Sequence, residues 1–545
     1  MQKYCLFILI LATFFRFFHL TQSPPSLNWD EVSIGYNAYS ILKTGRDEWG
    51  HRFPLFFKAY GEYKLPGMIY ASIPAIAVFG LNDFGLRFTP ALIGVLAVYV
   101  LYLLGKELFN QKVGLFAFLL MAISPWHVHL SRASFEAGLA LLFLELSILY
   151  LIKFFKTYQV KYSILNTLYS IMTIYTYNSA RILIPLLALT YLFLFRHHFR
   201  RLSKRSVFIL FSILLLALPA YLQVTKPEAR IRLNTLSILN NQGFLQQIGE
   251  SRGYTRLPSF LPQLIHNKYT HLAYTVFFNY LKTFSTEFLF FQGGHYTQRS
   301  VQGMGLLYLF ELPLLIFGFY QLHRQRSQLA KFIIYPWLLL APLPSAITID
   351  APSALRSLNL LPSLLLIEAL GAVYLFKLIR SKSIILKLTL SVFTIWNIAY
   401  FSYHLFYVYP VKYASDWQWG YRQAVANSMQ FYDSVNKIYF TTKYGEPHMY
   451  FLFYTQYDPH RFQTERVERV VDEYGWVHVV SFDKFYFTDF AGIQSPQEVL
   501  ARNKGKFLFV GAFAQLPPDK QLQPAFTITA PNWVTMFDAK IGQSL

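Results

Sequence analysis

Charge is scarce in this chain. Of its 545 residues only 14% are Asp, Glu, Lys or Arg, against 54% hydrophobic residues, whereas a soluble protein of this size carries about 25% charged residues. Much of its surface must face lipid, so the chain is read as an α-helical polytopic membrane protein. Acids are scarcer still, 28 against 49 Lys and Arg, for a net charge of +21. Such a balance can signal nucleic acid, but the bases gather between apolar stretches, as in the run from Arg196 to Arg205 that includes Arg200 and Arg201. Cytoplasmic loops concentrate Lys and Arg in this way. Topology explains the charge, and no nucleic-acid partner is expected.

Other absences narrow the field. The single cysteine, Cys5, excludes an intrachain disulfide. There is no Walker loop or Rossmann fingerprint, which argues against a nucleotide-sugar or ATP site. His127, His129 and His295 lack metal-ligand spacing, so no zinc site is assigned. No internal repeat and no N-x-S/T acceptor site occur. Thr21-Gln22-Ser23-Pro24-Pro25, after the first apolar run, offers no small-x-small cleavage signal, and Tyr4 to Phe18 is expected to be an uncleaved first transmembrane helix.

Further apolar runs of near-bilayer length lie at 88–105, 113–130, 137–155, 162–178, 181–195, 206–222, 306–322, 331–348, 357–376 and 386–405. With the first run they make about eleven spans. Pro66 to Gly80 is too short to span, carries Pro74, and is expected to lie at or dip into the interface. Lys and Arg in alternate loops then place the N-terminus inside and the C-terminus outside. Two external loops result, 21–87 and 223–305, the second with a helix expected near 270–290. From about residue 411 the composition turns soluble, with short strands expected at Lys437–Phe440, Val477–Phe482 and Phe507–Val510. The expected organisation is a transmembrane domain over 1–410 and a small extracytoplasmic α/β domain over 411–545.

On this topology Asp30, Glu31, Lys64, Arg87, Arg132 and Glu136 all face outward. Asp30 and Glu31 follow Asn28-Trp29. An acidic pair there can cap a helix or lie solvated in a loop; it can equally deprotonate an acceptor hydroxyl or bind a cation. Lys64 and Arg87 stand at the mouths of apolar stretches, where cations snorkel or meet a lipid phosphate at headgroup depth. Glu136 opens a span and can cap it or orient the acceptor, with Arg132 as its partner. Arg356, before another span, is a further phosphate candidate.

Four segments together resemble the GT-C polyprenyl-phosphate-sugar glycosyltransferases of glycosyltransferase family 39, which includes protein O-mannosyltransferases and the transferase that puts aminoarabinose on lipid A. They are Asp30-Glu31, Lys64-Leu65-Pro66, the stretch from Phe79-Gly80-Leu81-Asn82-Asp83 through Arg87-Phe88-Thr89-Pro90-Ala91-Leu92, and Ser131-Arg132 to Glu136. The resemblance covers about the first 200 residues. It implies Asp30 as general base, Lys64 and Arg87 near the donor phosphate, and inversion at the sugar carbon. Phe135-Glu136 departs from the Pro-Asp of many relatives. The expected reaction moves a sugar from a polyprenyl-phosphate donor to a protein, lipid or glycan hydroxyl at the plasma (inner) membrane, with room for a divalent cation. An oligosaccharide ligase or oligosaccharyltransferase, and a lipid-linked sugar flippase, stay open as alternatives.

Overall fold

The computed structural model describes residues 2–60, 62–199, 202–225, 237–258, 260–473 and 475–544. Arg200, Arg201 and residues 226–236 of the loop expected over 223–305 lie outside the described residues. From the N-terminus the elements are α1 (Gln2–Phe17), α2 (Trp29–Thr44), a hairpin of β1 (Phe57–Ala59) and β2 (Glu62–Lys64), α3 (Pro66–Phe79), α4 (Asp83–Leu108), α5 (Gln111–Ile123), α6 (Pro125–Leu130) and α7 (Glu136–Thr157). Helix starts follow local chemistry. Asn28 caps α2, Pro66 occupies the first turn of α3, and Asn110 caps α5.

Contacts divide the chain into two compact units. The first takes Met1–Phe18, Pro90–Ser131 and Phe135–Tyr403; the second takes His19–Thr89, Arg132–Ser134 and His404–Leu545. The first unit is helical. Among the described residues, six helices are long and apolar enough to cross a membrane: Asp83–Leu108, Glu136–Thr157, Lys204–Val224, Gln328–Ala346, Leu358–Arg380 and Ile384–Lys412. The count expected from sequence is larger because several apolar runs form shorter helices. The 113–130 run breaks at Ser124-Pro125 into α5 and α6, and 306–322 gives only Glu311–Arg324, of 14 residues. That helix crosses Leu361–Arg380 with backbones almost touching: a Cβ on Gly371 would lie 1.9 Å from the Leu314 carbonyl oxygen, and one on Gly318 would lie 2.0 Å from that of Ile367. Small residues permit such crossings. Arg16, at the end of the first apolar run, is buried and donates to the carbonyls of Ala12, Met121 and Ala122. The helix expected near 270–290 is Lys268–Thr283, followed by a π-turn at Glu287–Phe291.

The second unit is mixed. Its sheet runs β4-β5-β6-β3-β7-β9-β8, with β3 (Lys437–Thr441), β4 (Glu468–Val471), β5 (Val477–Phe482), β6 (Phe485–Thr488), β7 (Gly505–Ala512), β8 (Leu522–Thr529) and β9 (Thr535–Ser544). β3 pairs in parallel with β6 and β7, and the outer pairs are antiparallel. Tyr439, Phe507, Phe509, Val499, Leu500 and Leu516 form an apolar core beside it. Residues 21–87, assigned from sequence to the transmembrane domain, are grouped by contacts mainly with this C-terminal segment instead.

Candidate active site

The first turn of α2 carries both acids of the Asp30-Glu31 pair, and they have different surroundings. Glu31 is buried. Its amide donates to Asn28 Oδ1 at 3.0 Å, while its own Oε2 accepts the Asn28 amide at 3.2 Å, a reciprocal capping box. Arg87 grips the same carboxylate with Nε at 3.1 Å and Nη2 at 3.0 Å, and the Ser134 amide donates to Oε1 at 3.1 Å. Glu31 therefore fulfils the capping role allowed by its sequence position, and adds a buried ion pair.

Arg87 is equally committed. A guanidinium has five N–H groups; beyond the two on Glu31, the others reach the carbonyls of Leu20, Pro24 and Ser26. With no exposed surface, Arg87 has no donor to offer a phosphate in this conformation. Its work here is to tie the 20–26 segment to the start of α2.

Asp30 is the open member of the pair. Its side chain is 44% exposed, and Oδ1 accepts from Lys64 Nζ at 2.5 Å, the lysine itself being only 4% exposed. The β1–β2 hairpin pairs Phe57 with Lys64 and presents the lysine at its last residue, just before Pro66 turns the chain into α3. A carboxylate that meets both solvent and a nearly buried ammonium can exchange that partner for a substrate; Glu31 cannot.

Arg132 is buried, donates to the carbonyls of Ser23 and His19 at 2.8 and 2.9 Å, and stacks on Phe406. Glu136 lies in the first turn of α7 in the helical unit, two residues after the Ser134 amide that meets Glu31. Arg356 is also in the helical unit, where it and Arg299 share Asp350. Burial pushes Asp350 up, but hydrogen bonds and charge from Arg356 and Arg299 outweigh it and hold the carboxyl at about 2.

Two further titratable groups in the mixed unit have no sequence motif. Glu48 is buried against Asn37, each bonding the other (3.0 and 3.1 Å), and burial pushes its carboxyl up to about 8. His478 sits between Glu446 (2.8 Å) and Asp472 (3.2 Å), and the Glu446 hydrogen bond leads in raising it to about 9. Glu48 and Glu446 come from stretches far from each other, and the six-residue gap from Asp472 to His478 matches no motif; the adjacent Asp47-Glu48 pair is a local hint.

Residues 66–222 match a family described as dolichyl-phosphate-mannose-protein mannosyltransferase, a stretch that contains Arg87, Arg132 and Glu136 and begins two residues past Lys64. No curated protein matches the chain. Among solved structures, ArnT from Cupriavidus metallidurans in the apo state is 12% identical with a TM-score of 0.54, covering 99% of this chain and 97% of that one. Its undecaprenyl-phosphate-bound form is 11% identical with a TM-score of 0.52 over the same shares. The archaeal oligosaccharyltransferase AglB from Archaeoglobus fulgidus is 13% identical with a TM-score of 0.49, and this chain spans 63% of its length. The chain shares the GT-C fold of ArnT over nearly its whole length, with apolar membrane helices and a C-terminal sheet.

Proposed function

We propose that this chain is a membrane glycosyltransferase that moves a sugar from a polyprenyl-phosphate donor to a hydroxyl acceptor on the external face, with Asp30 as general base. The observation that carries the reading is the Asp30–Lys64 pair, an open carboxylate bonded to a nearly buried ammonium on a chain with the ArnT fold. Undecaprenyl phosphate bound to ArnT and the dolichyl-phosphate-mannose description over 66–222 both favour a lipid-phosphate donor.

In the reaction, Asp30 takes the acceptor's hydroxyl proton as that oxygen bonds the anomeric carbon from the face opposite the phosphate. The bond from that carbon to the phosphate oxygen breaks, and the configuration inverts. Lys64 turns to the departing lipid phosphate, whose growing charge it neutralises; the proton leaves Asp30 to water. Phosphate is a good leaving group, so holding the two substrates in line supplies much of the acceleration. Arg87 positions the acidic turn through Glu31 and does not touch the donor. Glu136 as an acceptor-orienting group and Arg356 as a phosphate-binding group are carried forward to separate tests.

The test offers purified protein a panel of radiolabelled polyprenyl-phosphate hexoses and pentoses. Transfer that Asp30→Asn abolishes supports the reading. Equal turnover by both proteins removes Asp30 from the mechanism, and binding without transfer by wild type favours a transporter. Turnover lost to a chelator would add a divalent cation beside Asp30, and reporter fusions at 21–87 check that this loop faces outward.

A further inference from the structure

The residue just before Asp30, Trp29, is held at its amide, its carbonyl and its ring. Its amide donates to Gln418 Oε1 at 2.9 Å, and its carbonyl accepts from the Tyr60 hydroxyl at 2.8 Å. Its indole lies flush on Gly445: a Cβ there would meet Trp29 Cε3 at 2.1 Å and Cζ3 at 2.5 Å, and the φ of +115° independently suits only glycine. Gln418 and Gly445 belong to the C-terminal segment, more than 380 residues away in sequence.

Gln418 is itself locked. Its backbone is left-handed at φ +55°, its Nε2 donates to the Tyr444 carbonyl at 2.5 Å, and its Oε1 lies 2.9 Å from the Tyr450 hydroxyl. Tyr450 is fully buried, stacks on Tyr421 with ring centroids 3.8 Å apart, and its hydroxyl also lies 3.2 Å from the Leu27 carbonyl. A left-handed non-glycine residue with every side-chain polar atom bonded is held by its surroundings, since the conformation is disfavoured on its own.

We propose that Gln418 and Gly445 make the C-terminal segment a positioning element for the acidic turn, setting where the Asp30 carboxylate stands and hence the rate of transfer. This rests on the reading of Asp30 as base. A general base works only within hydrogen-bond reach of the proton it takes, and a displacement of about 1 Å can lower the rate about a hundredfold. Removing Gln418 Oε1 frees the Trp29 amide. A methyl at position 445 would displace the indole outright.

The experiment measures kcat and KM for the radiolabelled polyprenyl-phosphate sugar that wild type turns over, with Gln418→Ala, Gly445→Ala, Gln418→Glu and Asp30→Asn. Gln418→Ala and Gly445→Ala are expected to lower kcat about tenfold to a hundredfold with donor KM within about twofold of wild type. Gln418→Glu keeps an acceptor for the Trp29 amide but loses the donor to the Tyr444 carbonyl, and is expected to recover only part of the rate. Adding Gln418→Ala to Asp30→Asn is expected to cost nothing further, because a positioning residue has no effect once the group it positions is gone. Should Asp30→Asn be inactive while correctly folded Gln418→Ala and Gly445→Ala keep wild-type kcat, the positioning role falls and Asp30 stands. A loss in the double variant equal to the product of the two single losses also overturns it. Wild-type turnover by Asp30→Asn overturns the premise instead.

Discussion

The acidic turn of α2 and the cluster around Asp350 solve opposite charge problems. At the α2 turn two carboxylates meet two cations, and they are shared unequally: Arg87 spends all its donors on Glu31 and three carbonyls, whereas Lys64 meets an Asp30 that is nearly half exposed. At Asp350 one buried carboxylate serves two guanidiniums, Arg299 and Arg356, with Arg299 also lying over the Tyr296 ring at 4.2 Å. The first arrangement is neutral and leaves one acid in contact with solvent; the second carries an extra positive charge. The number of ionic residues says little about a site's chemistry. What matters is how deeply each is buried and what it is bonded to.

The sharpest way to break this comparison is to substitute the two acids of the α2 turn separately. Asp30→Asn is expected to lower kcat about 10²–10⁴-fold with a smaller fall in melting temperature than Glu31→Gln, measured on purified protein in detergent. Glu31→Gln should do the reverse, destabilising the fold by leaving Arg87 buried and unbalanced. Arg87→Ala strands Glu31 in the same way and is expected to cost about 3–5 kcal/mol in denaturant or thermal unfolding. Arg87→Lys should recover little of that, since an ammonium cannot copy a fork that reaches Glu31 and three carbonyls together.

The charge-rich cluster should respond more gently. Arg356→Gln leaves Asp350 paired with Arg299 and is expected to raise donor KM about tenfold, near 1.4 kcal/mol, with kcat kept. Unchanged donor binding by this variant would remove Arg356 from the phosphate site. Glu136→Gln is expected to change turnover by only about threefold, the scale of a weak orienting contact.

The smallest effect is a pH slope. His478 stands raised to about 9 by Glu446 and Asp472, so its share of stability is complete below its unfolded value near 6.5 and is lost as pH climbs through 9. Glu48, pushed up to about 8 by burial, acts with the same sign from its unfolded value near 4.5 upward. The melting temperature should therefore fall between pH 6.5 and 9. His478→Gln should flatten the upper end of that fall and Glu48→Gln the lower end; a slope untouched by both would refute the assignment.

Much of the architecture was legible beforehand. Long apolar runs mark helices because a bilayer demands about 20 consecutive apolar residues, and Lys437–Phe440, Val477–Phe482 and Phe507–Val510 read as strands because alternating and β-branched apolar residues suit a sheet. Pro66 to Gly80 read as a short helix for the same kind of local reason. The break at Ser124-Pro125 was harder to see, since the apolar run continues across it while Ser124 caps and Pro125 starts a new helix. Hydropathy is blind to such a break.

Roles at the α2 turn divide the same way. That Asp30, Glu31, Lys64 and Arg87 are candidates was readable from their motifs. That Glu31 and Arg87 neutralise each other while Asp30 stays open was not, because burial and hydrogen-bond geometry depend on which distant segments surround each side chain. The sequence by itself determined a membrane chain, its acidic turn and a terminal sheet, all consequences of composition and local pattern. Only the tertiary structure decided that Gln418, Gly445 and Tyr450 brace Trp29 beside the acidic turn, since no local rule links residues hundreds of positions apart, and that Glu446 and Asp472 flank His478, since strand pairing and burial set which side chains meet.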